Sequence, residues 1–187
     1  MDMALRTAIE HCAPAMNRAL MAALVRRESD GNRFAIGMDG NGVPVAQPTN
    51  LIDAVAAAEG LARIGKGFSV GLAQIHISNI RSMGLSWEQA FDACTSLRKG
   101  QQIFEHFHVR AIAAGFKNGE ATFAALRGYN SGNVFAPISN NYASAIMADA
   151  VNGAMPALRA RSPATASRTI TSSEQENRSE AIELFGK

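Results

Sequence analysis

Glu28 stands in an unfavourable place for a carboxylate. In "ALVRRESDGNRFAIG" (residues 23–37) it follows Leu20 and Leu24 at four-residue spacing. It therefore continues an apolar helical stripe to the point where Ser29-Asp30-Gly31-Asn32 ends the helix. Partial burial disfavours the ionised form of an acid, and so do the unsatisfied carbonyls of a helix C-terminus. An acid held in this way can deliver a proton near neutral pH, which is the work of a general acid. The plainer alternative is a helix-end glutamate paired with Arg26, Arg27 or Arg33.

The other chemistry-bearing residues offer Glu28 little obvious company. Asp30 and Asp39 are the nearby candidates for a second carboxylate, with Asp39 the better placed. Asp30, however, reads as a helix-exit residue and Asp39-Gly40 as turn chemistry. Ser29 lacks an evident His-Asp partnership and is expected to brace the helix end. His11, His106 and His108 suggest no metal site, since His106 and His108 are not spaced for one helical face. Cys12 and Cys94 have no CxxC or zinc-ligand spacing, which leaves either two buried thiols or, in an exported chain, one bridge.

The elements that must position Glu28 are mostly helical. A helix opened by Pro14 carries Met16, Leu20, Ala23, Leu24 and Glu28 on one side. "FAIGMDGNGVPVAQP" has two short apolar runs around Asp39-Gly40-Asn41-Gly42 and predicts a hairpin. Asn50 with Asp53 predicts the start of a helix over "LIDAVAAAEGLARIG", and "FSVGLAQIHI" a third short strand. Ser78 to Met83 is a helical turn stopped by Gly84, and Ser86 with Gln89 forms a capping box. A long helix runs from about Thr95 to Ala114. Another begins at Asn118, and a last one covers about Asn140 to Val151. This predicts an α+β, mainly helical domain with a small antiparallel sheet inserted after the first long helix.

With 187 residues, one domain is expected, here residues 1–160, followed by a flexible tail over 161–187. The tail is Ser/Thr/Arg/Glu-rich, and its apolar residues gather at Ile182, Leu184 and Phe185. A net charge of +2, with no Arg/Lys cluster interleaved with aromatics, argues against nucleic acid as the partner. No stretch approaches the length of a membrane span. The start lacks the basic and apolar regions of a signal peptide, which suits either a cytoplasmic protein or a form whose leader has been removed.

Three segments carry a resemblance when taken together and in order. They are Glu28-Ser29 at a helix end, Gly71-Leu72-Ala73-Gln74-Ile75, and Tyr129-Asn130. In this combination the chain resembles the lysozyme-like soluble lytic transglycosylases, specifically the specialised ones associated with type IV secretion systems. The resemblance covers most of residues 10–150. It departs at Ala73, where the wider family has methionine, at Val70, where a small polar residue is frequent, and at His76, where asparagine is usual.

The resemblance implies a lysozyme-like fold and cleavage of peptidoglycan at the MurNAc-GlcNAc β-1,4 bond, with 1,6-anhydro-muropeptides as products. Glu28 would be the catalytic acid, with Ser29, Gly71, Gln74, Tyr129 and Asn130 forming the substrate site. No cofactor or metal is implied. The family manages with one acid, because the muramic N-acetyl group assists at the anomeric carbon and the sugar's own C6 hydroxyl attacks. Cys12 and Cys94 match a cysteine pair of the secretion-associated branch, which implies a disulfide in a periplasmic protein. Glycan strands are the expected partner, and the tail is a candidate for contact with secretion components. The alternatives are a lysozyme-type hydrolase of the same bond, using Asp39 or Asp30 to position water, and a non-catalytic cell-wall-binding assembly module.

Overall fold

The computed structural model describes residues 3–40 and 45–154. Among them the elements run α1 (Met3–Cys12), α2 (Arg18–Ser29), β1 (Ile36–Met38), α3 (Leu51–Arg63), β2 (Phe68–Val70), β3 (Ile75–His76), α4 (Ile77–Ser82), α5 (Trp87–Phe91), α6 (Ala93–Ala113), α7 (Asn118–Ser131) and α8 (Asn140–Ala154). A 3₁₀ turn, Pro137–Ser139, leads into α8.

Side-chain caps set most helix starts. Asn17 Oδ1 accepts the amides of Ala19 and Leu20 at 3.0 and 3.1 Å. α2 therefore begins at Arg18, not at Pro14, which lies in the turn after the additional helix α1. Asn50 caps α3 through the Asp53 amide, Ser86 and Gln89 form the capping box of α5, and Asp92 accepts the Thr95 amide to start α6.

The sheet is antiparallel in the order β1-β2-β3, with Ile36 opposite Val70 and Val70 opposite Ile75. Two strand expectations need correction. Among the described residues that follow β1, Val45 to Pro48 are not in a strand, and β1 pairs with β2. Instead the Gln47 side-chain amide bonds both the N–H and the carbonyl of Ile36 at 2.9 Å, imitating a strand partner with one side chain. The predicted third strand is likewise two strands, because the chain reverses over Gly71–Gln74 with positive φ at both ends of that turn.

The core is one cluster in which Met21, Leu24 and Val25 of α2 meet Phe68, Phe91, Leu97, Leu126 and Ile146. Burial on this scale is the main stabilising term, roughly 1.5–3 kcal/mol for each large side chain. α2 packs along α8, and α6 along α7. Cys12 and Cys94 are joined, which ties the end of α1 to the first turn of α6. The predicted boundary near residue 160 and the tail beyond it lie outside the described residues.

Candidate active site

Glu28 sits in the last turn of α2, half-buried, as the stripe Leu20-Leu24-Glu28 requires. The helix ends directly after it because Asp30 takes a left-handed conformation (φ 51°) and donates its amide to the Arg26 carbonyl at 3.1 Å. Asp30 itself is exposed. Tyr142 of α8 donates its hydroxyl to Glu28 Oε1 through a short hydrogen bond, and its ring is 4% exposed. Arg26 reaches Asp149 of α8 at 3.9 Å, while the Arg33 guanidinium lies over the Phe34 ring.

The turn between β2 and β3 stands beside this helix end. Ser29 Oγ donates to the Leu72 carbonyl at 2.9 Å and lies 3.1 Å from the Val25 carbonyl. Gly71 has φ +80°. A Cβ there would come within 2.7 Å of the Ala90 carbonyl and 2.9 Å of Ser96 Oγ, so glycine is required for both conformation and space. Ser96 Oγ accepts the Ala73 amide at 3.1 Å. Ala73 is fully buried against Gly100, where an added Cβ would lie 2.6 Å from its own. The small residue at position 73 is thus an internal packing feature and not a surface presented to solvent.

Gln74 is buried, with φ 46°, and its Nε2 donates to the carbonyls of Ala35 at 3.2 Å and Gly71 at 3.0 Å. It closes its own turn and fastens that turn to the residue before β1. Tyr129 is buried in α7 and donates its hydroxyl to the Ala73 carbonyl at 2.7 Å. Asn130, also buried, donates from Nδ2 to Ser139 Oγ at 3.0 Å and so holds the 3₁₀ turn that launches α8. Tyr129 and Asn130 therefore set the two neighbours of Glu28. One fixes the turn that Ser29 grips, and the other fixes the start of the helix that carries Tyr142.

Asp39 lies at the end of β1, where its Oδ2 accepts a hydrogen bond from His76 Nε2 at 2.8 Å. The Ser78 amide donates to His76 Nδ1, which makes Nε2 the protonated nitrogen in this network. The carboxylate also rests where a Cβ on Gly67 would stand. Asp39 is thus used to close the β1–β2 end of the sheet onto α4. Among the described residues, no three His, Cys, Asp or Glu side chains converge to hold a metal ion, and no helix is long and apolar enough to cross a membrane.

Sequence reasoning missed Tyr142. It lies 114 residues from Glu28, and no spacing rule links the two. The available signal was a tyrosine near the start of an otherwise small-residue helix, "NNYASAIM", which places a large polar-tipped ring on a face that must be buried.

Residues 8–148 match the transglycosylase SLT domain family. The chain is 40% identical over 126 residues to the type IV secretion system protein virB1 of Brucella abortus biovar 1, and equally to those of Brucella melitensis biotype 1 and Brucella suis biovar 1. In each case the match covers 66% of this chain and 52% of the relative, so the chain spans about half the length of the curated relatives it matches. No solved structure gives a significant match.

Proposed function

The chain belongs to the transglycosylase SLT domain family, and on that footing we propose that it is a peptidoglycan lytic transglycosylase with Glu28 as its catalytic acid. The observation that carries this reading is the position of Glu28. It is a half-buried carboxylate at a helix end, hydrogen-bonded by Tyr142 and flanked by the turn that Ser29 and Tyr129 hold in place.

In the proposed reaction Glu28 protonates the oxygen of the MurNAc-GlcNAc bond as the C1–O bond breaks. The carbonyl oxygen of the muramic N-acetyl group supports the electron-poor anomeric carbon. The C6 hydroxyl of the same sugar then attacks that carbon, and the Glu28 carboxylate takes the hydroxyl proton. The product is a 1,6-anhydro end, formed without water, and the acid is returned to its starting state. Two placements support a one-acid scheme. Asp39 is committed to His76, and Asp30 is exposed at the helix cap. Ser29, Gly71, Gln74, Tyr129 and Asn130 shape the substrate site mainly by fixing the turn and the start of α8.

The relatives named as type IV secretion system proteins support a more specific role, in which a periplasmic enzyme opens the cell wall locally for such an apparatus. The tail is the proposed place for contact with other components. Incubation of purified peptidoglycan with the full chain tests the reading. Soluble muropeptides should be released by the unmodified chain and not by Glu28→Gln. A folded chain that releases none overturns it.

A further inference from the structure

We propose that Arg27 is a positioning residue for this reaction, acting on Glu28 through the ring of Tyr142. The inference rests on the reading of Glu28 as the acid. The Arg27 guanidinium carbon lies 5.8 Å from the centroid of the Tyr142 ring, and the hydroxyl of that ring donates to Glu28 Oε1. Arg27 is half-buried and Tyr142 almost wholly so, which limits how far water screens the contact. Three consecutive residues of α2 therefore engage α8: Arg26 through Asp149, Arg27 through the face of Tyr142, and Glu28 through its hydroxyl.

A cation over a phenol ring draws electron density from it and makes the O–H a stronger donor. That donor is worth most when its acceptor is charged. Glu28 acquires negative charge as its proton passes to the glycosidic oxygen, so the strengthened hydrogen bond favours the transition state over the protonated ground state. The effect belongs in kcat and not in KM, since Arg27 is assigned no contact with the sugar. A purely structural Arg27, clamping α2 to α8, would act on stability and would not depend on the Tyr142 hydroxyl.

The test combines turnover on peptidoglycan with NMR of the full chain carrying 13Cζ-labelled tyrosine. Tyr129 and Tyr142 are its only two tyrosines, so Tyr129 is an internal control. Arg27→Met, which keeps the aliphatic stem, should lower kcat about three- to tenfold with KM within about twofold. It should also shift the Tyr142 Cζ signal and leave that of Tyr129 in place. Arg27→Lys, which keeps the charge but not the flat fork, should recover part of the loss. In a Tyr142→Phe background, Arg27→Met should cost nothing further. An equal loss in that background, or an unmoved Tyr142 signal in an active enzyme, overturns the positioning role alone. If the unmodified chain has no turnover, the reading of Glu28 falls and the positioning role falls with it.

Discussion

The Ser29 hydroxyl donates to the Leu72 carbonyl across 2.9 Å, joining two residues that lie 43 positions apart in the chain. The residue after the proposed acid is therefore fastened to the turn between β2 and β3, and the geometry of that turn becomes the geometry of the site. Its other attachments are Gly71 to the Ala35 carbonyl, Ala73 to Ser96 and Tyr129, and Gln74 to Ala35.

Gly71→Ala should therefore damage both stability and activity. The new Cβ must adopt φ near +80° and meet the Ala90 carbonyl and Ser96 hydroxyl. A loss of about 1–3 kcal/mol is expected. Chemical denaturation measures it. Activity should fall further than the fraction unfolded explains, because the turn carries the anchor of Ser29.

Tyr129→Phe removes the donor to the buried Ala73 carbonyl and keeps the ring in the core. Leaving that carbonyl unpaired should cost about 1–3 kcal/mol, read as a lower denaturation midpoint with an unchanged slope. KM should stay near its original value. A raised KM with unchanged stability would mean that the hydroxyl serves the sugar and not the turn.

The Cys12–Cys94 bridge closes a loop with a sequence separation of 82. The chain-entropy model assigns such a cross-link about 4.5 kcal/mol. Reduction, or Cys12→Ser with Cys94→Ser, should lower Tm by several degrees, because α1 then relies on its packing against α6, with the Ala15–Gln101 bond holding the turn after it. Thermal unfolding with and without reductant checks this.

Stability should fall in two stages as the pH is lowered. Burial, helped by the positive charge of Arg110, pushes the His106 imidazole below its ordinary value of 6.5. The fold thus prefers the neutral ring, and stability declines as pH drops below that ordinary value, levelling off below the depressed one. The Thr95 amide holds the Asp92 carboxyl below its ordinary value of 3.8. Its contribution is fully present above that value and is lost as pH falls through the lowered one. His106→Gln should remove the first stage. Asp92→Asn should shrink the second while keeping the helix cap, and the remainder belongs in part to Glu88, whose carboxyl its own backbone amide and the Ser86 hydroxyl hold below the ordinary value of 4.5. Denaturation midpoints across pH 3–8 measure both.

The helices were legible because their signals are local. Asn50, the Ser86–Gln89 box and Gly84 each mark an end by side-chain or backbone chemistry within a few residues. The strands were not, because a run of three residues carries little periodicity. The partner of β1 is chosen by tertiary contact with Phe68–Val70 and not by the nearby Asp39-Gly40 turn. Pro14 misled for a related reason: it fits a helix start, but Asn17 supplies the actual cap. Within the candidate site, the stripe points to Glu28, and the motifs to the turn and Tyr129-Asn130. Tyr142 and the His76–Asp39 pairing were hidden, since both depend on elements meeting in space.

If one acid works without a second carboxylate or a water nucleophile, the mass of the released muropeptides will carry the signature. Purified peptidoglycan should be digested with the unmodified chain, Glu28→Gln and Asp39→Asn, and the soluble products weighed. Anhydro products are expected, each lighter by one water than the hydrolytic fragment. Release should be almost completely lost in Glu28→Gln and remain substantial in Asp39→Asn. Products with reducing, water-added ends, together with an Asp39→Asn variant as inactive as Glu28→Gln while still folded, would contradict the one-acid scheme.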